Sequence, residues 1–490
     1  MPADERDLSG KTLRGIAWVS TGRVAAQLVQ TVTVIALMRL LTPEDFGVMA
    51  MVIVFTGLAA AVCSLGFSMA LVQAPEASPE LLDTAFWTVL AISVLAAGLI
   101  VLAAPAIESY YREPTLAGFT VWMALHPLAA NLNLVPRSIL RRQMRFGAAS
   151  AAEVAGLVIG SGGAVILAFR GAGAFSLVFQ LVVSHGVTAL VGTVIVGWYP
   201  RLRWSRASAA SLWSYGRAVT GFELFSQAEV QTAPFLIGRY LGDTAVGFYA
   251  RGLSLLLGPV RLLGDTIWQV MLSALSLIQD DLERVRSAFS RAVALMIFVL
   301  APAMVGTALV ADALVPLILG DQWMELIPVV QAMTIAALLN SAITATYWLH
   351  TSQNTTGPLF FFGVVRFVVV ALFVGGALPS GSIVTVAWAF AASQAVLLVL
   401  AYRLTRGLFD IGLLDLLRAV RGGLAAAAAM GLVVWSVRPL LGEVSMGINL
   451  GIRILVGVVA YVVLGAVLAR QEVRELRDIA ARFGVGSARP

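Results

Sequence analysis

Between Asp83 and Glu108 the chain runs without a single charged side chain, and long apolar runs of this kind recur along nearly its whole length. Such a stretch leaves water only if its backbone hydrogen bonds close within the segment. The structure open to it is therefore a helix of roughly 20 or more residues crossing a bilayer. Composition agrees: 59% of the 490 residues are hydrophobic and 12% charged, against about 45–50% and 25% in soluble domains. Mean hydropathy is +0.89. A water-soluble enzyme is excluded on these grounds. In a soluble protein, a net charge of +6 would suggest nucleic acid. Here the arginines cluster in short loops, where they set membrane orientation, and no nucleic-acid partner is expected. Cys63 is the only cysteine, so neither an intrachain disulfide nor a cysteine-rich metal site is available.

Apolar runs between charged or Pro/Gly-rich breaks predict about fourteen transmembrane helices. They fall near 15–40, 44–70, 84–105, 115–136, 147–168, 172–198, 212–240, 244–275, 288–311, 325–350, 357–378, 381–402, 418–440 and 447–469. Arg137, Arg141, Arg142 and Arg145, then Arg201, Arg203 and Arg206, and finally Arg470, Arg474 and Arg477 gather on one side; Arg112, Arg170, Arg438 and Arg453 are scattered on the other. The positive-inside rule then makes both termini cytoplasmic, and the short loops leave no room for a soluble catalytic domain. Catalysis is not expected.

Shifting the sequence by 200 positions lays Arg39, Leu41 and Gly47 on Arg239, Leu241 and Gly247. Each segment closes one long helix and opens another. Thr42 is the expected N-cap of the first, ahead of Pro43, Glu44 and Asp45, and Asp243 the expected cap of the second. The same shift sets Ser20, Arg23, Gln27 and Thr31 on Thr220, Glu223, Gln227 and Gln231, in steps of three and four that put each set on one helix face. The expected architecture is an all-α integral membrane protein. It has two six-helix lobes in a parallel pseudo-repeat (residues 1–205 and 206–410), followed by two C-terminal helices and a cytoplasmic tail (411–490). The polar first helices of the lobes enclose a central cavity, as in alternating-access transporters.

Ionisable groups inside spans are functional candidates. Arg23, Arg251 and Arg261 are candidates for holding an anionic headgroup, since a guanidinium stays charged and donates several hydrogen bonds to phosphate oxygens. Gln27, Gln227, Gln231 and Arg366 are further cavity candidates, and Glu223, Glu229 and Asp265 are candidates for proton or sodium coupling. The plainer alternative pairs these arginines with Glu223, Glu229 and Asp265 as ties between bundles. For Arg366 it is a contact with a neighbouring helix. Elsewhere, His126-Pro127 reads as a kink, and His185 and His350 as isolated, so no metal site is expected. Trp198, Trp204, Trp213 and Trp323 read as interfacial aromatics. The glycines at 160–163 read as close helix packing, residues 280–291 as a solvated amphipathic helix, and 471–482 as a short polar helix.

The segment from Arg39 to Gly47, with Leu65-Gly66-Phe67, Gly238-Arg239-Tyr240-Leu241-Gly242, Gly247-Phe248-Tyr249-Ala250, Leu319–Trp323 and Pro328–Gln331, resembles the Wzx-like polysaccharide flippases (O-antigen, capsule or lipopolysaccharide exporters). These form the polysaccharide transporter family of the multidrug/oligosaccharidyl-lipid/polysaccharide (MOP) exporter superfamily. The resemblance implies a bacterial inner-membrane transporter that turns a polyprenyl-diphosphate-linked oligosaccharide from the cytoplasmic to the periplasmic leaflet. It would need no cofactor beyond a coupling ion, and polymerases or glycosyltransferases would be its neighbours in the membrane. It also implies a cationic cavity with contributions from Arg23 and Arg251. The acids of the seventh span depart from a purely cationic cavity and leave a drug/cation antiporter of the same superfamily as one alternative. A membrane polysaccharide polymerase or ligase is another, argued against by the short outer loops.

Overall fold

The computed structural model describes residues 26–64, 66–74, 77–256, 281–353, 357–441 and 444–482. Among them there are helices and short 3-10 turns and no strand. Among the described residues ten helices are long and apolar enough to cross a membrane. Four further expected spans fail that test for separate local reasons, so the pattern is consistent with fourteen. The first is described only as α1 (Ala26–Leu40). The fourth is broken into three pieces, the seventh is too polar, and the eighth, α11, is described only over 243–256.

The chain forms two compact units, residues Met1–Gly247 and Phe248–Pro490. In the first, α2 (Pro43–Ser64), the short α3 (Phe67–Gln73) and α4 (Pro79–Tyr111) precede the broken span, made of α5 (Leu116–Met123), α6 (Leu125–Leu132) and α7 (Leu134–Arg142). The breaks have a direct cause. Pro127 and Pro136 have no N–H for the carbonyls of Met123 and Leu132, and those are the last residues of α5 and α6. Asn131 then ties α6 to α2 by donating to the Ala60 carbonyl (3.3 Å). The pair α8 (Phe146–Phe169) and α9 (Phe175–Val196) packs backbone to backbone. A Cβ on Gly156 or Gly160 would stand 2.1 Å from the hydroxyl of Thr188 or Ser184, and one on Gly163 2.3 Å from the Phe179 ring. The glycines therefore set how closely these helices approach.

The last helix of this unit, α10 (Arg206–Leu241), runs 36 residues behind a Ser205 N-cap. Its N-terminal Leu212 joins a buried core with Phe67, Leu71, Leu82, Val89 and Leu134 from α3, α4 and α7. The segment leading into it docks on α4: the Trp87 indole donates to the Arg201 carbonyl (2.8 Å), Arg201 N–H donates to Asp83 (3.1 Å), and Trp204 donates to Thr88 (3.1 Å). Arg142, counted among the loop cations, instead donates to the carbonyls of Leu71, Val72 and Ala74 at the end of α3, the usual place for a cation at a helix C-terminus.

The second unit continues α11 with α12 (Leu282–Ile318), α13 (Leu326–Ser352), α14 (Gly357–Ala377), α15 (Ile383–Phe409), α16 (Leu413–Val437), α17 (Met446–Leu468) and α18 (Arg470–Arg482). Residues 282–291, expected as a solvated amphipathic helix, are helical with Val285 and Phe289 buried and Leu282 exposed, but they run on without a break: Asp281 caps one continuous 37-residue helix. Its charged start is the first turns of a span, because no Gly or Pro interrupts the register before Pro302. Trp323 is also not an interfacial aromatic. It is fully buried, edge-on to Phe248 at 5.9 Å. The polar tail helix is present as α18.

Asp312 on α12 accepts from Arg438 (2.8 Å) and from Arg453 on α17 (3.1 Å). Arg453, only 3% exposed, also donates to the Leu309 carbonyl. This junction fastens the two C-terminal spans to α12.

Candidate functional site

The two copies of the repeated motif meet. A Cβ on Gly47 would lie 1.9 Å from the carbonyl oxygen of Asp243, and a Cβ on Gly247 would lie 2.0 Å from the carbonyl oxygen of Pro43. Residues 43 and 243, like 47 and 247, are equivalent under the 200-residue shift, so the contact is reciprocal. The starts of α2 and α11 cross with bare backbone against bare backbone, and only glycine fits at either crossing. At α2 the expected cap is present as a capping box. Asp45 accepts from the Thr42 N–H (3.0 Å) and hydroxyl (3.1 Å), and the Asp45 N–H returns to Thr42 Oγ1 (3.3 Å). At α11 the expectation is corrected: Gly242, at φ +86°, precedes the helix and Asp243 is its first residue, accepting from Thr244 N–H and hydroxyl (2.5 and 3.1 Å). A left-handed turn comes most easily to glycine, which displaces the aspartate by one position.

Around this crossing the motif side chains have structural work. Gly238 stands where a Cβ would be 2.6 Å from the Tyr111 ring. Arg239 lies 5.6 Å from the centroid of Tyr110, which stacks on Phe235 at 4.7 Å. In the second unit Phe248 packs on Trp323 and Tyr249 on Phe390 (5.9 Å). These motif pieces thus pack around the end of α10 and the starts of α2 and α11.

Of the cavity candidates, Arg23, Arg261 and Asp265 lie outside the described residues. Glu223 falls on α10 with its side chain outside them as well. Gln27 is exposed on α1 and donates to Thr31 one turn on, so two members of the first stripe are joined (3.4 Å). Gln227, Glu229 and Gln231 are half-buried on α10. The Gln231 amide nitrogen lies 3.5 Å from where a Cβ on Gly57 of α2 would be, so it packs against that helix. Arg251 is half-buried on α11, where the Ser254 hydroxyl turns back to the Arg251 carbonyl (3.1 Å). Arg366 on α14 donates to Asn340 Oδ1 of α13 (3.2 Å). That is the neighbouring-helix contact left open from sequence.

Sequence reasoning read His126 and His185 as unrelated. The broken span and α9 bring their rings to 5.5 Å, edge to face, and no signal at this sequence separation pointed to it. Among the described residues no three His, Cys, Asp or Glu side chains gather in a way that would hold a metal ion.

Apolar helices, a broken span, an unusually polar one and a two-fold-repeated helix crossing define a polytopic membrane protein. A family model described as "Polysaccharide biosynthesis protein" matches residues 36–328, more than half of the chain, and the chain belongs to that family. It is 21% identical over 463 residues to the teichuronic acid biosynthesis protein TuaB of Bacillus subtilis (strain 168), covering 93% of this chain and 95% of that one. It is 23% identical over 340 residues to the lipopolysaccharide biosynthesis protein WzxC of Escherichia coli (strain K12), 68% of each chain. Among solved structures it is similar to the lipid II flippase MurJ in an inward closed conformation (TM-score 0.74, 13% identity, 93% of this chain and 99% of that one). It is also similar to an inward-facing multidrug MATE transporter of the MOP superfamily (TM-score 0.61, 17% identity, 78% and 94%). The chain shares its fold with these two solved structures.

Proposed function

We propose that the protein turns a polyprenyl-diphosphate-linked oligosaccharide from the cytoplasmic to the periplasmic leaflet of a bacterial inner membrane by alternating access. The observation that carries this is membership of the polysaccharide biosynthesis family together with a MurJ-like fold along nearly the whole chain. The names of the relatives, which refer to teichuronic acid and lipopolysaccharide biosynthesis and to lipid II flipping, support a lipid-linked glycan as cargo. The MATE likeness is one of fold alone.

A diphosphate and a string of sugars do not cross about 30 Å of hydrocarbon unaided. A polar cavity replaces their water, while the polyprenyl chain stays in lipid. In this reading the lobes are residues 1–205 and 206–410, with Arg23, Arg251 and Arg261 gripping the diphosphate. Gln27 and Gln227 meet the sugars, and Gln231 and Arg366 hold the cavity walls through their helix contacts. Glu223, Glu229 or Asp265 carries a coupling proton or sodium ion. With both termini in the cytoplasm, a membrane potential negative inside favours outward movement of each negative charge by about 2.3 kcal/mol per 100 mV. Polymerases and glycosyltransferases supply or consume the cargo.

The test is complementation of a flippase-null strain. The wild-type chain restores surface polysaccharide. Arg23→Ala and Arg251→Ala at normal membrane levels lower it at least tenfold, the loss of about one charge-assisted contact each. Full export by both variants removes these arginines from the mechanism, and no export by the wild-type chain on any lipid-linked glycan removes the function.

A further inference from the structure

At the end of the second unit that carries the C-terminus, α12, α16, α17 and α18 border an open cleft of about 630 Å³, within the roughly 300–1,000 Å³ usual for small-ligand clefts. Arg291, Arg418, Arg421 and Arg470 line it with Glu472 and Glu475. Four guanidiniums against two carboxylates leave a net charge of two positive. Arg418 leans toward Asp415 at 3.8 Å. Among the described residues Arg291, Arg421 and Arg470 have neither a hydrogen-bond nor an ion-pair partner. Three unpaired guanidiniums around one hollow are suited to an anion with several oxygens.

The same cleft is bordered by Val467 and Leu468. These end a row of exposed apolar side chains on α17, including Val458, Val459, Val462 and Val463. A row like this belongs against acyl chains, so whatever fills the hollow sits with its charged part among arginines and lipid tails alongside. We propose that this hollow is a binding site for the phosphate headgroup of an anionic phospholipid in the leaflet bordering α18. Basic clefts between helices at the membrane surface bind such headgroups by this combination. The site lies within the second unit and does not depend on the transport reading.

The test uses the full-length protein in neutral detergent, observed by native mass spectrometry during titration with phosphatidylglycerol, phosphatidylcholine or inorganic phosphate. The expected result is a retained phosphatidylglycerol that neither phosphatidylcholine nor millimolar phosphate displaces. The triple variant Arg291→Gln/Arg421→Gln/Arg470→Gln should weaken it about a hundredfold, at about fivefold per guanidinium. Arg474→Gln, just outside the hollow, leaves it unchanged. If the triple variant does not fold, each single variant is expected to lose about fivefold. Equal retention of both lipids, retention unaffected by the substitutions, or displacement by inorganic phosphate overturns the proposal. The last of these would mark a free-anion site.

Discussion

At Gly47 and Gly247 an added methyl group has nowhere to go, because the atom it meets is a backbone carbonyl of a crossing helix and not the end of a mobile side chain. Gly47→Ala and Gly247→Ala should therefore each lower the yield of monodisperse protein on size exclusion and drop its unfolding temperature. Gly98→Ala, where nothing lies within 4 Å, should leave both unchanged or gain up to about 1 kcal/mol from helix propensity. The importance of these glycines was legible in sequence only as a coincidence of positions 200 apart; their reciprocal contact is a tertiary fact. The junction at Asp312 was not legible at all, since Arg453 lies 141 residues away and both arginines read as scattered loop charges. Because Arg453 is nearly fully buried, Arg453→Ala should cost about 1.5–3 kcal/mol, by removing the donor shared by Asp312 and the Leu309 carbonyl while Asp312 keeps Arg438. Arg438→Gln, on an exposed side chain, should cost about 1 kcal/mol or less. Thermal unfolding in detergent separates the two.

Elements are where the sequence spoke most clearly and where its errors have simple causes. Apolar runs located the ten long spans, because in lipid hydrophobicity alone decides what crosses. Sequence placed a kink at His126-Pro127 but not the second break at Pro136, so the cutting of one span into three helices was only half legible, and the apolar signal started the α12 span late because a charged N-terminal turn resembles a surface helix. The Thr42–Asp45 box was predictable from two residues three apart. Its two halves act as one unit, so Thr42→Ala and Asp45→Ala should each cost about 1 kcal/mol. The double variant should cost clearly less than their sum, and a double-mutant cycle on unfolding measures the coupling.

At the scale of the molecule, composition established a membrane protein, the 200-residue shift suggested a duplicated one, and the motifs pointed to the family to which it belongs. The candidate site was less legible than the fold. Periodicity reports which residues share a face, and a polar face on a membrane helix serves a helix contact as well as a cavity; Gln231 on Gly57 and Arg366 on Asn340 show the first use. The central claim is translocation of a lipid-linked glycan, and a reconstituted assay tests it most directly. Purified full-length protein is placed in liposomes carrying a polyprenyl-diphosphate oligosaccharide, and the headgroups newly exposed to an external glycosidase are followed over time. The account predicts that inner-leaflet headgroups become accessible with the wild-type protein and at least tenfold more slowly with Arg251→Ala. Exposure no faster than in protein-free liposomes would contradict it.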